Sequence, residues 1–354
     1  MRQLAALSRE HPNLAPLLTQ EMAIRAGAAL KGVALYRAHP ARRGPEKAKT
    51  VWQQGTTRLL AYEARDPHAP AILIIPALIN RFTILDVHPD HSFVQTLTDS
   101  GFRVFIVDWD VPGIEENAFG VADYVTERLC PVLDFLAPMK PHVMGYCMGG
   151  VLALALTQIA PQHVRSRTLL ATPWDFHAGF DATGVDGRNL SLWLAPWLSG
   201  GGAVSDEAVQ SLFTAFQPLH AFRKFASFAQ MDQDSAEATR FVLAEDWLND
   251  GVPLTASVAR ECFEDWCGKN ILANGAWRVA GTTITPDSVT VPTCIVVAER
   301  DKIVPPESAR VLANKIPNAT ILTPPLGHIG LMSSSRARAQ VWDPVIAFLC
   351  EGQG

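Results

Sequence analysis

Short runs of apolar residues, separated by amphipathic helical patterns, constrain the fold of this chain more than any other feature. Runs without polar alternation are typical of strands buried on both faces, as in parallel sheets. They predict strands at 71–75, 103–107, 142–144, 168–170, 294–297 and 319–322, and a further strand is predicted at 57–63. Helical patterns lie at 91–99, 118–137, 148–160, 306–315 and 336–350. This alternation predicts an α/β fold, a mostly parallel sheet with helices on both faces.

The strand and helix alternation stops between residues 173 and 285. Six of the nine tryptophans lie in this segment, namely Trp174, Trp193, Trp197, Trp247, Trp266 and Trp277. We interpret 173–285 as an aromatic-rich lid inserted into a core formed by 51–172 and 286–354. A helical subdomain that buries its own aromatic residues is a compatible alternative. Residues 1–50 are predicted to form a helical N-terminal arm that ends in a loop.

Composition narrows the class of protein. Hydrophobic residues make up 48% of the chain and charged residues 18%, which excludes an intrinsically disordered chain. The formal net charge of −5 carries no basic excess, so we expect no nucleic-acid partner. Six cysteines in 354 residues do not form the pattern of a disulfide framework.

No targeting or membrane segment is expected. Arg9 and Glu10 interrupt the N-terminus before a signal peptide could develop, which predicts a cytoplasmic protein. Segment 141–164 has no charged residue, but glycines interrupt it, and we expect no transmembrane span. Cys262 and Cys267 lack metal-ligand spacing and are interpreted as helix packing. No dinucleotide or P-loop motif occurs, so we expect neither a metal nor a resident cofactor.

The strongest local signal joins the strand at 142–144 to the helix at 148–160. It reads Gly145-Tyr146-Cys147-Met148-Gly149-Gly150, a glycine-x-nucleophile-x-glycine turn with cysteine as the nucleophile. Small residues are needed on both sides because the turn is sharp. The following helix N-terminus favours the thiolate of Cys147, and the N–H of Met148 can stabilise an oxyanion. The alternative is a buried structural cysteine in a glycine-rich turn.

Partners for Cys147 are expected after later strands, in the order acid and then histidine. Asp301 follows the strand at 294–297, with Glu299 as a competing acid, and His328 lies between glycines after the last strand. Asp301 would fix the tautomer of His328, which would deprotonate Cys147. The loop after the strand at 71–75 supplies a second candidate oxyanion donor, the N–H of Ile79.

Several spaced motifs together resemble polyhydroxyalkanoate synthases of the α/β-hydrolase superfamily, specifically the class III catalytic subunit. The motifs lie at 76–81, 84–86, 107–109, 145–150, 172–176, 245–250, 301–306 and 327–330. The resemblance implies acyl transfer from (R)-3-hydroxyacyl-coenzyme A onto a growing polyester. It implies that Cys147 is acylated, that His328 is the base, and that Asp301 is its partner or activates the incoming hydroxyl. Met148 departs from the glutamine common in class III, and Trp174 replaces a smaller residue.

The resemblance also implies partners. They are the coenzyme A thioester as substrate, the polyester chain or granule surface, and a second, non-catalytic subunit; a homo-oligomer is also expected. Alternative functions stay open at this point. Dienelactone hydrolases have a similar cysteine turn but a shorter chain, and a general thioesterase would use the same residues. A non-catalytic protein that binds granules or partner subunits is a further alternative.

Overall fold

An eight-stranded sheet forms the centre of the molecule. The computed structural model describes residues 13–44, 47–179, 203–216, 218–288 and 291–351. The sheet strands are β1 (Lys49–Gln54), β2 (Thr57–Ala61), β3 (Ala71–Ile75), β6 (Arg103–Asp108), β7 (His142–Tyr146), β8 (Arg167–Leu170), β11 (Thr293–Val296) and β12 (Thr320–Leu322). Their order is β1-β2-β6-β3-β7-β8-β11-β12. Strand β2 runs in the opposite direction to the other seven strands of this sheet, so the predicted α/β fold with a mostly parallel sheet is confirmed.

Helices and two short ladders complete the described structure. The ladders pair β4 (Asp86–His88) with β5 (His91–Ser92) and β9 (Arg278–Val279) with β10 (Thr282–Thr283). The helices are α1 (Leu14–Ala38), α2 (Phe93–Asp99), α3 (Val121–Tyr124), α4 (Cys130–Leu136), α5 (Met148–Ile159), α6 (Asp206–Phe216), α7 (Pro218–Phe228), α8 (Ala236–Asn249), α9 (Ala256–Arg260), α10 (Pro306–Lys315), α11 (Gly330–Ser333) and α12 (Asp343–Glu351). Within the described ranges, no helix is long and apolar enough to cross a bilayer.

Strand β3 explains why the sheet lies at the centre. All five of its residues are buried, and successive side chains point to opposite faces. Leu73 and Ile75 pack into the core cluster that contains α5, whereas Ile72 and Ile74 pack into the cluster on the other face. Full burial of one such aliphatic side chain contributes about 1.5–3 kcal/mol, so an unbroken apolar run is stable only between two helical layers.

The order of the strands creates a crevice at one edge of the sheet. The next two strands of the sheet along the chain lie on opposite sides of β3, with β6 on one side and β7 on the other. In open α/β sheets, ligands bind outside the carboxyl ends of the strands at such a reversal. The loop after β3 and the turn after β7 both start there, so the fold brings Ile79 and Cys147 to the same place.

Two features differ from the sequence expectations. Strand β1 was not predicted, because most of its residues are exposed and no apolar run marks it. The helix expected at 118–137 contains a π-helical turn, Val125–Leu129, between α3 and α4. Trp193, Trp197 and the N-terminal residues Arg9 and Glu10 lie outside the described residues.

The N-terminal helix packs against the segment inserted between β8 and β11. Helix α1 contacts α7 so closely that a Cβ on Gly32 would lie 1.8 Å from the carbonyl oxygen of Phe225. The Tyr36 hydroxyl donates a hydrogen bond of 2.6 Å to Asp246 at the end of α8. Helix α1 is therefore attached to the inserted segment by close packing and by a half-buried polar contact.

Candidate active site

Cys147 lies at the sharp turn between β7 and α5. Its backbone has φ 57° and ψ −127°, a conformation that L-residues rarely adopt. A Cβ on Gly145 would lie 2.3 Å from the Gly149 carbonyl oxygen. A Cβ on Gly149 would lie 2.0 Å from the carbonyl oxygen of Ile75, and one on Gly150 1.8 Å from Thr172 Oγ1. The three glycines thus permit the close packing that holds Cys147 in this conformation.

The structure brings His328 and Asp301 together. His328 Nδ1 and Asp301 Oδ2 are 2.6 Å apart, and both side chains are buried. The other oxygen, Oδ1, accepts hydrogen bonds from the backbone N–H groups of Ile303 and Val304 at 2.8 and 2.9 Å. The carboxylate is held by the chain that follows it, so it fixes the imidazole with Nδ1 as donor and leaves Nε2 for the Cys147 thiol.

The imidazole of His328 is a strong base in this environment. Burial disfavours its charged form, but the charges of Asp301 and Cys147, and hydrogen bonds to both, outweigh burial and raise the pKa of His328 well above its ordinary value. Tyr146 stacks on the imidazole with ring centroids 5.1 Å apart, and its hydroxyl donates to the His328 carbonyl oxygen at 3.1 Å. The ring is therefore oriented from one face and from both ends.

Glu299 does not share this site. Both of its carboxylate oxygens accept hydrogen bonds from Arg310, at 2.7 and 2.6 Å. Of the two acids that the sequence offered, the structure places Asp301 against His328.

The predicted oxyanion donor Ile79 lines the same cavity as Cys147, and the other predicted donor, Met148, directly follows Cys147. Met148 is the first residue of α5, and in the described part of the chain its N–H and that of Ile79 have no recorded acceptor. Ile79 belongs to the β3 loop, which we define as residues 76–81. Indole N–H groups hold both ends of this loop, since Trp109 donates to the Pro76 carbonyl oxygen at 3.1 Å and Trp247 to that of Arg81 at 2.6 Å.

A cavity of about 70 Å³ adjoins Cys147 and His328. Its walls are mostly apolar and include Ile84 and Tyr146 from the sheet side and Trp247 from the inserted segment. Neither Tyr146 nor Trp247 was predicted to belong to the site. The signals for them were present, because Tyr146 lies within the nucleophile turn and Trp247 within the motif at 245–250.

The other cysteines differ from Cys147. All six are free, so no disulfide framework exists. Cys262 and Cys267 pack against the core, as predicted, and burial raises the pKa of Cys267 to about 12. Burial likewise raises the pKa of Cys294 to about 12. These thiols stay protonated at neutral pH. Among the described residues, no cluster of three His, Cys, Asp or Glu side chains could hold a metal ion.

Curated proteins with similar sequences include several named poly(3-hydroxyalkanoate) polymerases. The chain is 28% identical over 324 residues to the poly(3-hydroxyalkanoate) polymerase subunit PhaC of Haloferax mediterranei. The aligned region covers 87% of this chain and 64% of that protein. It is 25% identical over 319 residues to the subunit of the same name from Allochromatium vinosum, and this aligned region covers 87% of this chain and 89% of the relative. The predicted resemblance to polyhydroxyalkanoate synthases is confirmed, whereas the class III assignment stays a prediction.

Solved structures and a family model agree on the fold. A monoacylglycerol lipase from Paleococcus ferrophilus superposes with a TM-score of 0.53 at 13% identity, covering 83% of this chain and 99% of the lipase. The sequence model of the alpha/beta hydrolase fold matches residues 70–335. The expected hydrolase fold is therefore confirmed, and the chain belongs to the alpha/beta hydrolase fold family.

Proposed function

We propose that this chain transfers (R)-3-hydroxyacyl groups from coenzyme A onto a growing polyester through a thioester on Cys147. The observation that carries the proposal is the cysteine in the strained turn beside the His328–Asp301 pair, in a chain similar to named poly(3-hydroxyalkanoate) polymerases. We further propose that the N–H groups of Met148 and Ile79 stabilise the oxyanion. The chemistry needs no resident cofactor or metal.

In the first step, His328 removes the proton from the Cys147 thiol, and Sγ attacks the carbonyl carbon of the thioester. The bond from that carbon to the sulfur of coenzyme A then breaks, and the proton on His328 passes to the leaving thiolate. One thioester replaces another, so the step is nearly balanced in free energy. The raised pKa of His328 supports its role as the proton carrier.

In the second step, a hydroxyl oxygen attacks the acyl group on Cys147, and the thioester becomes an oxygen ester. This step is downhill, and the proton of the hydroxyl must go to a base. Both oxygens of Asp301 already accept hydrogen bonds, from His328 and from the backbone. We therefore assign the hydroxyl proton to His328, which returns it to Cys147 Sγ as the bond between Sγ and the acyl carbon breaks. Asp301 has the role of orienting partner.

Polymerisation requires that the hydroxyl of a substrate reaches the acyl group and that water does not. The cavity of about 70 Å³ is several times smaller than the 300–1,000 Å³ typical of ligand pockets. We propose that residues 173–285 act as a lid, that the cavity corresponds to a closed state, and that the lid moves to admit the coenzyme A thioester. The apolar walls support exclusion of water once it closes.

The proposal extends to partners. A second, non-catalytic subunit, a homo-oligomer and a location at polyester granules in the cytoplasm are part of it. Apolar side chains exposed on α1 support a binding surface there, with Leu17, Met22 and Leu30 between 60% and 70% exposed.

The test incubates the purified protein with 3-hydroxybutyryl-coenzyme A, with and without the candidate subunit, and follows thiol release and product length. We expect polymer and stoichiometric release of coenzyme A. Cys147→Ala abolishes both, and the matched control Cys350→Ala, at an exposed cysteine, changes neither. Release of free hydroxy acid without chain growth identifies a thioesterase instead. Turnover of dienelactone but not of the thioester favours the lactone hydrolase, and the absence of any turnover favours a binding protein.

A further inference from the structure

We propose that residues 247–252 of the inserted segment, here termed the clasp, position the β3 loop so that Ile79 donates correctly to the oxyanion only while the clasp is docked. Trp247 and Asp250 are thereby positioning residues for acylation of Cys147. This inference rests on the acyl-enzyme chemistry proposed above.

Backbone contacts tie the clasp to the loop. The N–H of Val252 donates to the carbonyl oxygen of Ile79 at 3.0 Å, and Asn80 pairs with Gly251 as an isolated antiparallel bridge. The carbonyl oxygen and the N–H of Ile79 belong to adjacent peptide planes. A hydrogen bond that fixes the carbonyl therefore restricts the direction of the Ile79 N–H.

Side chains add two further contacts. The Trp247 indole donates to the Arg81 carbonyl oxygen at 2.6 Å, and Arg81 Nε donates to Asp250 Oδ1 at 3.1 Å. Arg81 Nη1 also reaches Asp110 Oδ1, at 3.4 Å, in the segment that follows β6. Arg81 thus links the clasp to the rigid sheet edge through the loop.

The two tryptophans that hold the loop are attached to different parts of the chain. Trp109 directly follows β6 of the central sheet and holds the Pro76 end, whereas Trp247 belongs to the inserted segment and holds the Arg81 end. A second cavity, of about 180 Å³, also borders Trp247, and Trp247 and Ile84 line both cavities. The indole has space into which it can move, and its movement would release the end of the loop nearest Ile79.

Docking of the clasp therefore does two things at once. It closes the cavity with Trp247, and it sets the oxyanion donor. Water that enters while the clasp is away finds an acyl group on Cys147 but a misplaced Ile79, so hydrolysis is slow in the open state.

The experiment compares two reactions at Cys147. Acylation by p-nitrophenyl butyrate builds negative charge on the carbonyl oxygen and needs the oxyanion donors, whereas alkylation by iodoacetamide needs only the thiolate. We expect Trp247→Phe and Asp250→Asn to slow the maximal rate of acylation about threefold to tenfold, the effect of one hydrogen bond. The ester concentration that gives half of the maximal rate should not change, and the alkylation rate should stay the same or rise. Asp250→Glu restores acylation.

The matched control is Asp99→Asn, which breaks another exposed Arg–Asp pair, with Arg65, remote from the cavity. It leaves both rates unchanged. Equal loss of acylation and alkylation in the clasp variants, or no loss of either, overturns the inference. Because acylation is followed by the first p-nitrophenol that is released, it does not require chain growth, and a failure to form polymer contradicts the proposed function alone. A wild-type protein whose Cys147 is alkylated but never acylated contradicts both.

Discussion

Replacement of Gly149 by alanine tests whether the packing of the nucleophile turn against β3 sets the geometry of the site. The new Cβ would lie 2.0 Å from the carbonyl oxygen of Ile75 and 2.7 Å from that of Pro76, whereas real Cβ contacts essentially never fall below 3.0 Å. The helix and the strand must therefore separate by about 1 Å. Both are central elements, so the cost is that of overpacking, about 1–3 kcal/mol.

We expect Gly149→Ala to lower the melting temperature by about 1–4 °C, as measured by calorimetry. Pro76 begins the β3 loop, so its displacement by about 1 Å slows acylation of Cys147 about 100-fold. Gly27→Ala is the matched control, because nothing lies within 4 Å of the added Cβ on α1. That variant should be as active and as stable as the wild type, or more stable by up to about 1 kcal/mol. A Gly149→Ala protein within 0.5 °C and about twofold of the wild type would refute the reasoning.

The remaining predictions concern charge. Asp301→Asn should slow acylation about 10³–10⁴-fold, and it should lower the pKa of His328 in an NMR titration because burial then acts without the neighbouring carboxylate. Glu299→Gln removes a charge that pairs with Arg310, so acylation should stay within about twofold of the wild type. A larger loss in Glu299→Gln would contradict our choice of Asp301 as the acid. Burial lowers the pKa of His142 to about 4, below its value of 6.5 in the unfolded chain, so stability is lost as the pH falls from 6.5 to 4, by up to about 3 kcal/mol. His142→Gln should flatten this part of the pH dependence in denaturant titrations, and an unchanged slope would argue against it.

The sequence predicted the elements whose stability comes from burial. Strand β3 was expected at 71–75 and is found there, because an unbroken apolar run has no other stable place. Strand β1 was missed because Lys49, Gln53 and Gln54 carry no apolar pattern. It is a strand because it pairs with β2, a non-local property that composition does not reveal.

Some residues of the candidate site could be predicted from the sequence, and others could not. Cys147, Asp301 and His328 could be located because glycine spacing and strand ends are local signals. The contact between Trp247 and Arg81 could not, since 166 residues separate the two in the chain. No spacing rule states which loop an inserted segment will touch, so the clasp became visible only in three dimensions.

The conformation of Cys147 sets activity and stability against each other at a single residue. A side chain held at φ 57° and ψ −127° raises the free energy of the native state by about 1–3 kcal/mol, and glycine would not carry that strain. A Cys147→Gly protein should therefore be catalytically dead and yet melt above its parent. Any search for heat-resistant variants that omits a selection for turnover should converge on the loss of this sulfur.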